Sequence, residues 1–271
     1  RSLVVKFKAK NSTNKTPIAF CCHADTVKPG RNIKPIVDIE KGIIKSDGAT
    51  ILGADDKAGI AELIEMIRAA EKHPPIEIII TRCEEIGSLG AKNLDFSLLS
   101  SKYAYVLDMD SPDELVVGEA THIHIDVTYT GKSAHSGVEP ENGLSSILTA
   151  VEALHKMKLG RLDAESTSNV GVFQGGEARN IIPEQTKLQA ECRSLDHKKA
   201  LKIADEMESI FIASAKESGA KVDIVRDIVS SGYRIDKDDE VVKLYASALK
   251  KNGIEPDIKN ITAGTDAALF N

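Results

Sequence analysis

Three short apolar runs in the first half of the chain are each followed closely by a histidine or a carboxylate. The runs are IAFCC, IEIII and YAYVL, at residues 18–22, 76–80 and 103–107. Near-continuous apolar runs of this length are typical of strands buried on both faces of a sheet, as in parallel sheets covered by helices. A helix is predicted between the first two runs, with one apolar face formed by Ile60, Leu63, Ile64 and Ile67. The pattern predicts an α/β fold with a mostly parallel mixed sheet flanked by helices.

The extent of two helices in this region can also be predicted. Pro74 and Pro75 are expected to end the first helix, because proline cannot continue it. A second helix is predicted over GSLGAKNLDFSLL, at residues 87–99.

Beyond Gly118 the hydrophobic pattern changes. HIHIDVTYTG, at residues 122–131, alternates with period two, and a helix, two strands, a long helix and the strand KVDIVRD follow. The order β-α-β-β-α-β is typical of a ferredoxin-like α+β unit. A later helix, ended by Gly253, is expected to return to the first domain. The predicted domains are residues 1–117, an insertion at 118–232, and a return segment at 233–271.

Composition excludes several classes of function. The net charge is −6 and the pI is near 5.7, so the chain has no basic footprint for nucleic acid or an anionic membrane surface. No apolar run approaches the roughly 20 residues of a membrane helix. The four cysteines lie in apolar, strand-like runs and show no C-x-x-C spacing, which predicts buried free thiols in a reducing cytoplasm.

Four places put acidic or histidine side chains at a strand end or a strand-to-helix junction. They are His23 with Asp25, Asp55 with Asp56, Glu84 with Glu85, and Asp108 with Asp110. Taken singly, each has an ordinary structural explanation, such as a helix N-cap, a hydrogen-bonded histidine, an exposed strand end or a polar turn. Because ligands bind outside the carboxyl ends of strands in open α/β sheets, the four together predict one shared metal site.

Eight motifs along the chain carry a resemblance to a known family. They are HADTV, GADDKAGIAEL, EEIGSLGAK, YVLDMD, GKSAHSG, ARNIIPE, ECRSLD and GTDAALFN. Their order and spacing resemble the peptidase T-like branch of the dinuclear zinc aminopeptidase, carboxypeptidase and aminoacylase superfamily. The resemblance covers essentially the whole chain. It implies a zinc-peptidase catalytic domain with an inserted lid or dimerisation domain.

The resemblance also implies a role for each acidic position. The implied zinc ligands are His23, Asp55 (bridging both ions), Glu85 and Asp108. Asp25 would orient His23, Asp56 would cap the helix that follows, and Glu84 would be the general base. A hydroxide bridging two zinc ions would then attack the peptide carbonyl, with Glu84 moving the proton to the leaving amine.

The inserted domain carries further candidates. By resemblance, His135 reaches the active site of the partner subunit and stabilises the oxyanion, which implies a homodimer. Asn180 and Arg193 match positions that contact substrate, and arginine suits a peptide carboxylate. His122 and His124 share one strand face and could mimic a pair of metal ligands, but no third ligand is expected near them.

Two departures from the family pattern leave alternatives open. The family has another zinc-ligand histidine a few dozen residues beyond GTDAALFN, and the chain stops at Asn271 before it, so this sequence is expected to be a fragment or to hold the second zinc incompletely. Ala263 also stands where relatives often have glycine. The leading interpretation is a tripeptide-cleaving aminopeptidase. A sibling carboxypeptidase, a deacylase of N-acyl amino acids and a non-catalytic binding module remain as alternatives.

Overall fold

The computed structural model describes residues 2–271 and divides into two compact units. The first contains residues 2–115, Asp238–Asp257 and Thr265–Asn271, and the second contains Val116–Lys237 and Ile258–Gly264. Along the chain, the second unit is therefore inserted into the first.

The regular elements alternate along both units. The strands are β1 (Leu3–Phe7), β2 (Ile18–His23), β3 (Pro35–Asp38), β4 (Ile43–Ser46), β5 (Ile76–Thr81), β6 (Ala104–Val106), β7 (Glu114–Glu119), β8 (Thr121–Thr130), β9 (Gly160–Asp163), β10 (Ser166–Gly175), β11 (Gln185–Ser194), β12 (Lys221–Ser230), β13 (Tyr233–Arg234) and β14 (Asp257–Ile261). The α-helices are α1 (Lys57–Ala69), α2 (Leu89–Lys92), α3 (Ser146–Lys156), α4 (His197–Ser218) and α5 (Glu240–Lys251).

The main sheet of the first unit has the order β1-β5-β2-β6. Strand β2 runs parallel to β5 and β6, and β1 is antiparallel to β5, which confirms the predicted mostly parallel mixed sheet. The apolar run of β5 is buried except for the half-buried Ile80, and that of β2 is buried except for the half-buried Ile18 and Phe20. Because β2, β5 and β6 are parallel, their carboxyl ends meet at one edge of this sheet, where the candidate site lies.

Helix α1 packs one apolar face on this sheet. Leu63 is buried, and Ile60 and Ile67 are half-buried against the same cluster. Ile64 is 54% exposed, so its predicted place on the buried face is wrong, and Met66 packs there instead. The helix ends at Ala69, well before the prolines, because the following chain turns into a backbone pairing with the segment after β1.

The second predicted helix is mostly wrong. Only one α-helical turn, α2, forms, followed by a separate 3-10 turn at Phe96–Leu98. The side chain of Asp95 accepts hydrogen bonds from the backbone N–H and hydroxyl of Ser97, which start that new turn.

The second unit is built on an antiparallel sheet of order β12-β8-β11-β10-β9, with α3 and α4 packed on it. Omitting β9, this is the strand order expected of a ferredoxin-like unit, so that prediction is confirmed; the edge strand β9 was not predicted. Alternate residues of β8, including Ile123, Ile125 and Tyr129, face the helices and are fully buried. The other face of β8 carries His122, which is half-buried.

Smaller features complete the fold. Strands β13, β7 and β14 form a three-stranded sheet, and β3 and β4 form a separate hairpin. All four cysteines are free, and three are buried; Cys83 is half-buried and lies beyond its strand, contrary to expectation. Within residues 2–271, no helix has both the length and the apolar character needed to cross a bilayer.

Glu77 is a carboxylate buried within β5, where only 2% of the residue is exposed. It forms an ion pair with Lys6 at 2.7 Å and accepts hydrogen bonds from the backbone and hydroxyl groups of Ser100 and Ser101. Burial alone would raise the pKa of this carboxyl, but these donors outweigh it and lower the pKa to about 2.

We expect Glu77→Gln to lower the free energy of unfolding at pH 7 by about 3 kcal/mol, the value of a pKa depressed by roughly two units. Because the folded-state pKa lies below the unfolded one, this stabilisation is present above about pH 4.5 and is lost as pH falls toward 2. Urea unfolding should therefore separate variant from wild type at pH 7 and much less near pH 2.5. The exposed Glu65→Gln is the matched control, and an equal effect of both substitutions would contradict the account.

Candidate active site

His23, the last residue of β2, lies at the centre of an acidic cluster. Its side chain is only 2% exposed. The Nε2 atom lies 2.9 Å from Oδ1 of Asp55, in the loop before α1, and 3.6 Å from Oδ1 of Asp108, which closely follows β6. The carboxyl ends of two parallel strands and the start of α1 thus bring three of the predicted ligands together.

Asp25 contacts the other ring nitrogen of His23, Nδ1. Its backbone carbonyl accepts a hydrogen bond from Nδ1 of His23 at 2.9 Å, while its carboxylate lies 3.7 Å from the same nitrogen. The two carboxylate oxygens accept the backbone N–H groups of Glu84 and Glu85, at 3.1 and 3.3 Å. Asp25 therefore joins the end of β2 to the segment that follows β5.

Glu84 and Glu85 occupy different surroundings. Oε1 of Glu85 accepts the backbone N–H of Val27 at 3.1 Å, and Glu85 offers an oxygen within 4.8 Å of ligand atoms of His23 and Asp55. Oε1 of Glu84 instead accepts a hydrogen bond from the hydroxyl of Ser88 at 3.3 Å.

The backbone around these glutamates is not a strand. Strand β5 ends at Thr81, and Cys83, Gly87 and Ser88 all have positive φ. The chain therefore turns sharply, and the rule that adjacent side chains point to opposite faces does not apply. This is why two consecutive carboxylates can belong to one site.

Asp56 does not act as predicted. It occupies the N-cap position of α1, but its side chain makes no capping hydrogen bond. It is only 4% exposed, and Oδ2 accepts the backbone N–H of His23 at 3.1 Å. Asp56 also offers an oxygen within 4.8 Å of ligand atoms of His23 and Asp108. The prediction that Asp56 caps the helix is wrong, because its carboxylate binds the backbone N–H of His23 instead.

Crowding of like charges and burial shift the titration of the cluster. Burial alone would lower the pKa of His23, but the hydrogen bond and charge of Asp108 outweigh it and raise that pKa to about 10. Burial, with the charge of Asp108, raises the pKa of Glu84 to about 7, and burial raises the pKa of Asp56 to about 7. Burial, with the charge of Asp55, raises the pKa of Glu85. The surroundings of these carboxylates therefore contain too little positive charge to keep their pKa values in the usual range.

The residues present fit a bound metal. His23 belongs to two groups whose ligand atoms lie within 4.8 Å of one another, one with Asp56 and Asp108 and the other with Asp55 and Glu85. One imidazole nitrogen and several carboxylate oxygens form a donor set that zinc accepts. A divalent cation would also relieve the repulsion that raises the carboxyl pKa values. The arrangement therefore suits a metal cofactor.

Asp266 is a member of the site that sequence reasoning missed. It is 1% exposed, and its Oδ2 accepts a hydrogen bond from the hydroxyl of Thr81. Among the described residues, no donor reaches its Oδ1. Burial raises the pKa of Asp266. The sequence feature that could have identified Asp266 is its place in the GTDAALFN motif.

The predicted residues of the inserted unit lie in two places. His135 and Asn180 are neighbours: His135 forms a backbone bridge with Ile181, and the N–H of Ser136 donates to the carbonyl of Asn180 at 3.0 Å. Both are exposed. Arg193 lies apart from them, half-buried on β11.

A third potential ligand does lie near His122 and His124, so the expectation of none is wrong. Glu191 on β11 offers an oxygen within 4.8 Å of nitrogens of both histidines. The two rings meet edge to face with centroids 4.5 Å apart.

Two family models match the chain. The model described as Peptidase family M28 matches residues 2–153, more than half of the chain. The model described as Peptidase dimerisation domain matches residues 117–218. The second match falls entirely within the inserted unit.

Similar proteins extend the match to nearly the whole chain. Aminopeptidase PepT from Bacillus cereus is 40% identical, with a TM-score of 0.87, over 99% of this chain and 72% of that one. A tripeptidase from Staphylococcus aureus is 34% identical, with a TM-score of 0.93, over 100% of this chain and 73% of that one. An uncharacterized protein of Bacillus subtilis, YqjE, is 38% identical over 98% of this chain and 72% of its own length.

Proposed function

Because this chain belongs to the peptidase T-like branch of the M20/M28 peptidases, we propose that it is a dinuclear zinc aminopeptidase that cleaves short peptides, tripeptides in particular. The observation that carries the proposal is the buried His23 within reach of several carboxylates, with Glu84 beside them and bound differently. The names of the similar solved structures, an aminopeptidase and a tripeptidase, support the substrate class.

The ligands proposed for two zinc ions are His23, Asp55, Glu85 and Asp108, with Asp25 holding His23 in place. Bound zinc would polarise the peptide carbonyl and lower the pKa of water, which is the chemistry that a hydrolase of this kind requires. The buried carboxylate of Asp56 lies close enough to His23 and Asp108 to be an additional candidate ligand.

Glu84 is proposed as the general base. Its carboxylate is not part of the two ligand groups, so it remains free to accept a proton from the attacking water and return it to the leaving amine. In the metal-free site, burial and the charge of Asp108 raise the pKa of Glu84 to about 7, so this carboxylate takes up a proton more readily than an exposed glutamate does. The Ser88 hydroxyl holds one of its oxygens.

The inserted unit is proposed to supply substrate contacts and the interface of a homodimer. Its match to a peptidase dimerisation domain supports the homodimer. His135 would stabilise the oxyanion in the partner's site, Asn180 would contact the peptide backbone, and Arg193 would bind the substrate carboxylate. A cytoplasmic location is also proposed, on the basis of the buried free thiols.

The substrate class can be tested with three compounds assayed on the purified zinc-loaded protein. Trialanine should be hydrolysed, whereas N-acetyl-trialanine and N-acetylalanine should be cleaved much more slowly, because an aminopeptidase requires a free amino terminus. Preferred release of acetate from N-acetylalanine would contradict the proposal and favour a deacylase. Absence of turnover on all three, together with failure to bind zinc, would favour a non-catalytic module.

A further inference from the structure

The outer face of the sheet in the inserted unit carries a chain of charged contacts. The register of β8 and β11 sets His122 opposite Arg193 and His124 opposite Glu191. Oε2 of Glu191 accepts a hydrogen bond from Nε2 of His122 at 2.6 Å and another from Nη2 of Arg193 at 3.0 Å. The three side chains are 16–30% exposed, so water screens these contacts only in part.

A second hydrogen bond holds the other terminal nitrogen of the Arg193 guanidinium. Nη1 of Arg193 donates to the backbone carbonyl of Thr262 at 3.1 Å. A planar guanidinium held at both terminal nitrogens cannot rotate freely, yet its five N–H groups leave several donors for another acceptor. The hydrogen bond from His122, followed by that from Arg193, lowers the pKa of Glu191 to about 2, so this carboxylate is ionised at neutral pH.

We infer that Glu191, backed by His122, is a positioning residue that holds Arg193 oriented to bind the free C-terminal carboxylate of the substrate. This inference rests on the proposed function, which assigns Arg193 to the substrate carboxylate. It adds two residues that act through Arg193 without touching the substrate, and a substrate preference for an unblocked C-terminus.

Arg193 also argues against a metal ion as the partner of His122, His124 and Glu191. The Glu191 oxygen that a metal would need already accepts two hydrogen bonds, one of them from a permanent cation 3.0 Å away. A metal would have to displace the His122 contact and approach that cation. A carboxylate of the substrate, by contrast, adds a negative charge that the free N–H donors of the Arg193 guanidinium can bind.

The test compares trialanine with trialanine amide, which lacks the terminal carboxylate. For Glu191→Gln we expect the KM for trialanine to rise roughly tenfold with kcat nearly unchanged, because one charge-assisted hydrogen bond orienting Arg193 is weakened. The KM for the amide should not change. His122→Gln should also raise the KM for trialanine relative to the KM for the amide, but by a smaller factor. Asp126→Asn is the matched control, since Asp126 lies on the same outer face of β8 and its carboxylate accepts a hydrogen bond from Gln189 at 3.4 Å rather than from Arg193.

Thermal unfolding of each variant separates positioning from loss of structure. If Glu191→Gln alters both substrates equally, or alters neither, the inference is overturned while the proposed peptidase function stands. If the wild-type protein cleaves neither tripeptide, the proposed function fails and this inference fails with it.

Discussion

Replacing Glu84 with glutamine is expected to lower kcat for trialanine by about 10²–10⁴-fold, the usual contribution of a general base. Glutamine preserves the shape of the side chain and can still accept the Ser88 hydroxyl hydrogen bond, but it cannot take up a proton. Because Glu84 lies outside the two ligand groups, the zinc content of the variant should equal that of wild type. The two readouts are steady-state kinetics and elemental analysis of the same preparation.

Glu65→Gln on the exposed face of α1 provides the control for this experiment, since the Glu65 side chain is 70% exposed and forms a 3.9 Å ion pair with Arg68 of the same helix. The control should keep both kcat and zinc content. Loss of zinc from Glu84→Gln would place Glu84 among the ligands, and retention of full activity would remove it from the reaction.

Replacing His23 with alanine is expected to weaken zinc binding by more than about 100-fold. Loss of an outer partner of a ligand typically costs 10–100-fold in affinity, and His23 is a direct ligand candidate shared by both groups. Asp25→Asn should have the smaller effect, within that 10–100-fold range, because Asp25 acts on His23 through hydrogen bonds.

Competition with a chromophoric chelator measures both affinities, and no catalytic assay is needed. His155→Ala serves as the matched histidine control, because His155 is exposed near the end of α3. Equal affinities for wild type and His23→Ala would show that zinc binds elsewhere, and an Asp25→Asn effect larger than that of His23→Ala would reverse the assigned roles.

The position of the site could be predicted from sequence because strand composition is local information. The apolar runs of β2 and β5 identify buried strands, and parallel strands bring their carboxyl ends to one edge. Their ends carry His23 and the Glu84–Glu85 pair, so the shared cluster followed from topology alone. The separate roles of the two glutamates, Glu85 as zinc ligand and Glu84 as general base, were implied only by the family resemblance, because strand periodicity does not distinguish them.

Partners distant in sequence could not be predicted in the same way. Asp56 precedes a helix, where capping is the usual role of aspartate, but the N–H of His23, 33 residues away, takes its carboxylate. Glu191 meets His122, 69 residues away in the sequence, diagonally across the pairing of β8 with β11. Helix α2 stops after one turn because Asp95 begins a new turn through its side chain, which composition does not reveal.

The measurement that tests the central proposal most directly is the rate of trialanine hydrolysis as zinc is added back to protein stripped by a chelator. Aliquots are assayed for turnover and for bound zinc after removal of free metal. The account predicts no turnover in the stripped protein and a rate that rises with bound zinc, with the same zinc uptake but no comparable rate in Glu84→Gln. Turnover that persists undiminished in the stripped protein would contradict it.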